Sequence, residues 1–176
     1  MAGGFVLVVG PSGAGKDTLI RLAHAALAGE ARYVFARRLV TRPPSAHEEN
    51  EELSEAAFTQ GEADGRFALS WRAHGLGYAL PAETLDHARA GRVVVANVSR
   101  RAVAEARTRL PGVTVVAVTA PAAVLARRLA ARGRPEDGDL AARLAREAPV
   151  QADLTIRNDG APEQAAATLV AHLRGR

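Results

Sequence analysis

The chain has 176 residues and a formal net charge of +4, a length that suits one α/β domain with a substantial core and is too short for two. It contains no cysteine, which excludes disulfides and thiolate metal sites, and its five histidines include no pair at i, i+4 spacing, which argues against a zinc site. The positive charge alone is compatible with a nucleic-acid partner, but most arginines are interleaved with acidic residues and alanine along predicted helices, so we expect no such partner.

An apolar run at residues 5–9 is the first predicted element, a buried strand. The residues before it, Met1-Ala2-Gly3-Gly4, include none of the basic residues that begin a signal peptide, and the run stops at Gly10. Such a run is too short to span a membrane or to form the apolar part of a signal sequence. We expect a cytoplasmic protein with no membrane partner.

A glycine-rich loop follows this strand and leads into a helix that begins near Lys16. The loop reads Gly10, Pro11, Ser12, Gly13, Ala14, Gly15, Lys16, Asp17, Thr18. Glycines let backbone N–H groups point at phosphate oxygens, the helix presents its positive end to the same anion, and the lysine reaches the β- and γ-phosphates. We interpret it as a phosphate-binding loop for ATP with Lys16 as a catalytic residue. Lys16 is also the only lysine in the chain, at a position where an ammonium group suits the phosphate better than a guanidinium.

Asp17 departs from the usual motif, which has Ser or Thr after the lysine. A second departure lies at the end of the predicted strand 93–97, where Asn97 stands in place of an aspartate that would assist a magnesium ion. Asp17 could supply the missing charge and hold Mg²⁺ directly or through water. The alternative is an ordinary first-turn carboxylate that the helix dipole stabilises, and the sequence favours the two equally.

Strands and helices alternate along most of the remaining chain. Helical spacing or capping signals predict helices at 18–28, 54–58, 81–91, 99–110, from 121 and at 161–173, and apolar runs predict strands at 33–36, 67–71, 93–97, 113–118 and 154–156. This alternation predicts an α/β fold of the P-loop NTPase type, with three α/β/α layers around a central parallel sheet. Ligands of such sheets bind at the carboxyl ends of the strands, where Gly10 falls. We predict a single domain over 1–176, with its core at 1–33 and 80–176.

Residues 34–79 do not alternate in this way and are predicted to form an insertion that binds the phosphate acceptor. Residues 45–52 are polar and acidic and are predicted to be a loop. Arg37, Arg38 and Arg42 surround a turn here, and guanidinium groups near Tyr78 could bind a second phosphorylated ligand bidentately. The following Pro43 makes the turn at Arg42 rigid and favours that role, whereas a surface position is as compatible with Arg37 and Arg38.

A second group of arginines is predicted to form a lid at about residues 132–143. Arg128 and Arg132 share a helix face, Gly133 ends the helix before Arg134, and an acidic segment at 136–139 precedes Arg143. Phosphoryl transfer requires positive charge on the transferring group while water is excluded, which suits a short lid with arginines. We predict catalytic roles for Arg132, Arg134 and Arg143, and a solvated surface position for Arg127.

No Ser-His-Asp or paired-carboxylate arrangement stands out in the sequence. A kinase that transfers a phosphoryl group to another phosphate needs none, because the acceptor oxygen is already anionic and positioning with charge neutralisation suffices. The loop and the arginines therefore predict ATP-dependent phosphoryl transfer to a phosphorylated small molecule, with Mg²⁺ as a cofactor.

Motifs along nearly the whole chain resemble those of the guanylate kinase family. They are the loop 10–16, the Thr-Arg-Pro-Pro turn at 41–44, Leu69-Ser70-Trp71 with Gly77-Tyr78, the lid arginines and the turn Asn158-Asp159. The resemblance implies that Arg42 and Tyr78 hold the acceptor phosphate, that Arg132, Arg134 and Arg143 act on the transferring group, and that Asn158 lies on the adenine side.

Two positions that read guanine through carboxylates in that family are Ser70 and Asn97 in this chain. A site that loses its hydrogen-bond acceptors loses its discrimination, so guanine is disfavoured. A closer resemblance is to the ribose 1,5-bisphosphate phosphokinases of phosphonate degradation, relatives of guanylate kinases, through Lys16-Asp17, Glu49-Asn50, His74-Gly75-Leu76 and Asn158-Asp159-Gly160. It implies ATP-dependent phosphorylation of ribose 1,5-bisphosphate to 5-phospho-α-D-ribose 1-diphosphate (PRPP).

We therefore predict a kinase of a small-molecule sugar phosphate, acting as a monomer or homodimer. The predicted acceptor-binding residues are Arg38, Arg42, Ser70, Tyr78 and Asn97. The alternatives are a guanylate or other nucleoside monophosphate kinase and, in a different class, a catalytically silent guanylate-kinase-like interaction module. The intact Lys16 argues against the silent module.

Overall fold

Five strands form a parallel central sheet in the order β2-β7-β1-β8-β9. A computed structural model of the chain describes residues 2–42, 50–132 and 150–176, with only the backbone of Arg132. The sheet consists of β1 (Gly4–Val9), β2 (Tyr33–Phe35), β7 (Val93–Asn97), β8 (Thr114–Thr119) and β9 (Leu154–Arg157). The apolar runs of β1 and β7 thus form inner strands that are buried on both faces, as parallel sheets require.

Side chains of β1 alternate between two hydrophobic cores, one on each face of the sheet. Phe5, Leu7 and Val9 pack into the first core, and Val6 and Val8 pack into the second. All five are fully buried. Successive side chains of a strand point to opposite faces, so one continuous apolar run serves both cores.

Helices cover both faces of this sheet. They are α1 (Lys16–Ala26), α3 (Glu83–Arg89), α4 (Val103–Arg109), α5 (Ala122–Arg132) and α6 (Pro162–Arg174), and a 3₁₀ turn (Arg100–Ala102) precedes α4. Residues of α1, α5 and α6 pack into the second core, and residues of α3 and α4 pack into the first. The predicted three-layer α/β/α architecture is confirmed. In the described part of the chain, no helix is long and apolar enough to cross a membrane.

A second sheet of four strands lies over the carboxyl end of the first, in the order β4-β3-β6-β5. Its strands are β3 (Arg38–Val40), β4 (Asn50–Glu52), β5 (Phe67–Ala73) and β6 (Leu76–Pro81), and α2 (Glu55–Ala63) connects β4 with β5. Ser54 caps α2 by accepting a hydrogen bond from the N–H of Ala57 at 3.0 Å.

Several boundaries differ from the sequence predictions; the helix predicted at 54–58, for example, extends to Ala63. The loop predicted at 45–52 is wrong at its end, because residues 50–52 form β4, which pairs in parallel with β3. A polar edge strand carries no apolar alternation, so its sequence looks like a loop. The insertion predicted to begin at 34 begins after β2, which pairs with β7 in the central sheet. The division into core, insertion and lid stays a prediction, since residues 133–149 lie outside the described part.

Candidate active site

The phosphate-binding loop takes backbone conformations that need glycine. Gly13 and Gly15 have φ angles of +85° and +92°, and Gly15 is the N-cap of α1. At Gly10, with φ of +150°, an added Cβ would lie 2.2 Å from the carbonyl oxygen of Val118. The glycines therefore serve both the left-handed turn and the close approach of β8, a backbone geometry that suits a loop around an anion.

Lys16 folds back across the mouth of this loop. Its Nζ donates a hydrogen bond of 2.5 Å to the carbonyl oxygen of Gly10, the first residue of the loop. The ammonium group thus lies between the end of β1 and the start of α1, where the helix dipole also favours an anion. This position is suited to a phosphate bound in the loop.

Asp17 and Asn97, the two residues that depart from the usual motif, contact each other. Asn97, at the carboxyl end of β7, donates a hydrogen bond of 2.7 Å from Nδ2 to Oδ1 of Asp17 on the first turn of α1. Asn97 is 8% exposed and its amide therefore holds the carboxylate in one orientation. Among the described residues, no other hydrogen bond to the Asp17 carboxylate is present.

Asp17 could be one ligand of a magnesium ion but not a complete site. No group of three or more His, Cys, Asp or Glu side chains within the described ranges could hold a metal by itself. Mg²⁺ commonly takes one or two carboxylates together with substrate phosphates and water. A single carboxylate beside a phosphate-binding loop fits that donor set.

A basic pocket opens beside Asp17 and Asn97. It lies between α1, the end of β2 and strands β3 and β4, and three arginines line it: Arg21, Arg37 and Arg38. Among the described residues that line it, Asp17 is the only carboxylate. The pocket therefore joins the end of the phosphate-binding loop to a surface suited to an anionic ligand.

Arg38 links this pocket to the predicted acceptor site. Its Nε donates a hydrogen bond of 3.3 Å to Oδ1 of Asn50, and its guanidinium lies 5.1 Å from the centre of the Tyr78 ring. Tyr78 in turn stacks on Trp71, with ring centres 5.6 Å apart. The structure thus brings together two of the predicted acceptor-binding residues, Arg38 and Tyr78, although Arg38 is only 9% exposed.

The other predicted acceptor-binding residues are Asn97, Arg42 and Ser70, and only the first lines the pocket. Arg42 follows β3 next to Thr41, whose N–H and Oγ1 bond the backbone of Gly77, so Arg42 is held near Tyr78. Ser70 lies on β5, at the far edge of the second sheet, and its hydroxyl donates a hydrogen bond of 2.9 Å to Glu62.

Asn158 lies on the opposite side of the phosphate-binding loop and supports the loop itself. The side chain is 3% exposed, and Nδ2 donates a hydrogen bond of 2.8 Å to the carbonyl oxygen of Ala14. The predicted contact of Asn158 with a nucleotide stays a prediction. In the same turn, a hydrogen bond from Arg157 at 2.6 Å holds the pKa of the Asp159 carboxyl below its usual value.

Part of the predicted site lies outside the described residues. Arg134 and Arg143 fall in 133–149, and the side chain of Arg132 is likewise not described. Arg21 and Asn50 line the pocket but are not among the site residues that the sequence predicts. Arg21 stands four positions after Asp17 and so shares its helix face, a signal that was present. Asn50 stands in a polar segment without any periodic signal.

Several proteins are similar to this chain over most of its length, although no family model matches it. Ribose 1,5-bisphosphate phosphokinase PhnN of Methylobacterium radiotolerans is 69% identical over 99% of both chains. Its counterpart in Bradyrhizobium diazoefficiens is 52% identical over 98% of this chain and 88% of its own length. A bifunctional ribose 1,5-bisphosphokinase-thymidine phosphorylase of Cupriavidus necator is 50% identical over 98% of this chain and 29% of its own length.

Solved structures show the same fold at low sequence identity. Guanylate kinase from Anaplasma phagocytophilum superposes with a TM-score of 0.69 at 18% identity, over 99% of this chain and 86% of its own. A sugar kinase from Janibacter sp. superposes with a TM-score of 0.57 at 17% identity, over 97% of this chain and 94% of its own. The chain therefore has a guanylate-kinase-like fold.

Proposed function

This chain belongs to the ribose 1,5-bisphosphate phosphokinase family, and we propose that it transfers the γ-phosphoryl group of ATP to the 1-phosphate of ribose 1,5-bisphosphate, giving PRPP. The observation that carries the proposal is the contact between Asp17 and Asn97 at 2.7 Å, at the point where the phosphate-binding loop meets the basic pocket. Donor and acceptor phosphates would meet beside this pair. The family expected from the sequence motifs is confirmed by the relatives.

Charge neutralisation is the main chemical task of this site. The acceptor is a phosphate whose oxygen is already anionic, so no side chain has to remove a proton before transfer. Lys16 would hold the β- and γ-phosphates at the loop mouth, and Arg38 would approach the acceptor phosphate from the second sheet. When bound, Mg²⁺ neutralises charge on the donor phosphates, and Asp17 is the described residue that fits as its protein ligand.

The arginines of the pocket favour an acceptor with two phosphates. A nucleoside monophosphate carries one phosphate and a base, whereas ribose 1,5-bisphosphate has anionic groups at both ends. Arg38 would bind the phosphate that receives the γ-phosphoryl group. Arg21 and Arg37 line the same pocket and would bind the other phosphate.

A direct assay tests the proposed reaction. The protein is incubated with ATP and Mg²⁺ and offered ribose 1,5-bisphosphate or GMP in parallel, and the products are separated by ion-exchange chromatography. We expect PRPP from the first acceptor and little or no GDP from the second. Phosphorylation of GMP alone would identify a guanylate kinase, and ATP binding without turnover of either acceptor would identify a silent module; both results contradict the proposal.

Arg21 provides a prediction on acceptor specificity. Within the described part of the chain, its side chain makes no hydrogen bond or ion pair, whereas Arg37 pairs with Glu51 at 3.7 Å. Replacing Arg21 with alanine is expected to raise KM for ribose 1,5-bisphosphate about 10-fold and to leave KM for ATP unchanged, because one charged contact to a phosphate is lost. Initial rates at varied concentrations of each substrate measure both constants.

The matched control for Arg21 is Arg89→Ala, another exposed helical arginine, which does not line the pocket. We expect KM values within about twofold of the parent protein for this variant. An unchanged acceptor KM in Arg21→Ala would show that Arg21 is a solvated surface residue.

The proposal extends to the cellular location, the oligomeric state and the partner molecules of the enzyme. We propose that the enzyme works in the cytoplasm as a monomer or homodimer, with a sugar phosphate as its partner molecule and without nucleic acid or membrane. ATP as a donor and a sequence without cysteine support this setting. Its place in phosphonate catabolism belongs to the same proposal.

A further inference from the structure

Arg128 on α5 contacts the backbone of two separate loops of the site. Its Nη1 donates hydrogen bonds of 3.1 Å and 3.4 Å to the carbonyl oxygens of Gly13 and Ala14 in the phosphate-binding loop. Its Nη2 donates one of 2.8 Å to the carbonyl oxygen of Asn158, in the turn after β9. One half-buried side chain thus connects two adjacent carbonyl groups of the loop with a third that is distant in the sequence.

We propose that Arg128 is a positioning residue that keeps the phosphate-binding loop in its anion-binding shape and ties it to the turn at Asn158. The proposal rests on the binding of ATP by this loop and does not depend on the identity of the acceptor. Arg128 acts here through backbone groups and not through contact with the reacting phosphates.

The geometry of the peptide group explains how a contact outside the loop affects its interior. In a trans peptide the C=O of one residue and the N–H of the next point in opposite directions. The carbonyl of Ala14 accepts bonds from Arg128 at 3.4 Å and from Nδ2 of Asn158 at 2.8 Å. Both donors lie on the same side, so the N–H of Gly15 points to the other side, away from them.

Gly15 also needs support because its backbone is in the left-handed region, with φ of +92°. Glycine adopts this region without a steric cost, but it has many other conformations available, and a loop rich in glycine loses entropy when it takes one shape. Hydrogen bonds from a charged donor to Gly13 and Ala14 offset part of that loss. The loop would then be formed before the phosphate arrives.

Packing of α5 against the loop gives Arg128 a rigid base. An added Cβ at Gly13 would lie 3.2 Å from Cγ of Leu129 and 3.4 Å from the carbonyl oxygen of Leu125. Both leucines are buried, and Leu125 belongs to the second core. The guanidinium is a planar fork with five N–H donors and can reach three carbonyls at once, which a lysine ammonium on a flexible stem does not reproduce.

Binding of the donor phosphates alone tests the proposal. Dissociation constants for ATP and for tripolyphosphate, which has no base, are measured by calorimetry for Arg128→Ala, Arg128→Lys and the neighbouring exposed Arg127→Ala. We expect Arg128→Ala to weaken both ligands by a similar factor, about 10- to 100-fold, because charge-assisted hydrogen bonds that shape the loop are lost. Arg128→Lys should recover less than half of the lost binding free energy. The dissociation constants of Arg127→Ala should stay within about twofold of those of the parent protein.

Two results would overturn the proposal. If Arg128→Ala weakens the binding of ATP but not the binding of tripolyphosphate, Arg128 acts on the base and not on the loop. If Arg128→Lys binds both ligands as tightly as the parent protein, positive charge alone suffices and the fork geometry has no role. Arg128→Lys, which preserves the charge and most of the side-chain volume, provides the test if the alanine variant does not fold. Failure of the acceptor assay would leave these binding results unaffected, so the two proposals are separable.

Discussion

Replacing Lys16 with alanine is expected to lower kcat about 1,000-fold or more, without unfolding the protein. The ammonium lies 2.5 Å from the carbonyl oxygen of Gly10, across the mouth of the phosphate-binding loop. In the proposed reaction it stabilises charge on the β- and γ-phosphates as the bond between them breaks, a contribution that water does not replace. Turnover is measured as PRPP formation at saturating ATP.

Stability should change little in this variant, because Lys16 belongs to neither hydrophobic core. A thermal unfolding midpoint close to that of the parent protein would separate loss of catalysis from loss of fold. Lys16→Arg serves as the second variant, since it keeps the charge but replaces a compact ammonium with a planar fork. Retention of most activity in Lys16→Ala would show that the loop is not the donor site.

The second large effect is expected at Asp17 and Asn97. Asp17→Asn should lower kcat about 100-fold and weaken the apparent affinity for Mg²⁺, because the carboxylate nearest the loop is lost. Asn97→Asp should also lower activity, since it would place two carboxylates at the present 2.7 Å contact. Rates measured over a Mg²⁺ titration give both quantities.

Exchanging the two residues is the sharper experiment. The double variant Asp17→Asn with Asn97→Asp keeps an amide–carboxylate hydrogen bond but moves the charge to the end of β7. We expect it to recover activity to within about 10-fold of the parent protein, so that the effects of the single changes are strongly non-additive. Full magnesium dependence and unchanged kcat in Asp17→Asn would instead make Asp17 an ordinary first-turn carboxylate that the helix dipole stabilises.

The central sheet was predictable because its inner strands β1 and β7 are buried on both faces. Such strands need an unbroken apolar sequence, and the run at β1 is followed at once by Gly10, where the close approach of β8 leaves no room for a Cβ. The helix after the loop was predictable for a similar reason, since Leu19 and Ala23 are buried at helical spacing. The fold class follows from these local patterns.

The second sheet was harder to predict. Its strands β3 and β4 have three residues each and β4 is polar, so neither shows the alternation that identifies a strand. They exist because β3 pairs with β6 on one side and with β4 on the other. Pairing between distant segments decides such short strands, and local propensity does not.

The phosphate-binding loop, the α/β fold and the kinase family could be predicted from local patterns, because glycine conformation, apolar spacing and motif spacing are local properties of the chain. Which residues of the site meet depends on the packing of the folded chain. Asp17 and Asn97 are 80 positions apart and Arg128 and Gly13 are 115 apart, yet each pair is joined by a hydrogen bond. Parallel strands bring their carboxyl ends to one edge, and the crossover helices set the distances between them. Those distances depend on how the whole chain packs, which no local pattern contains.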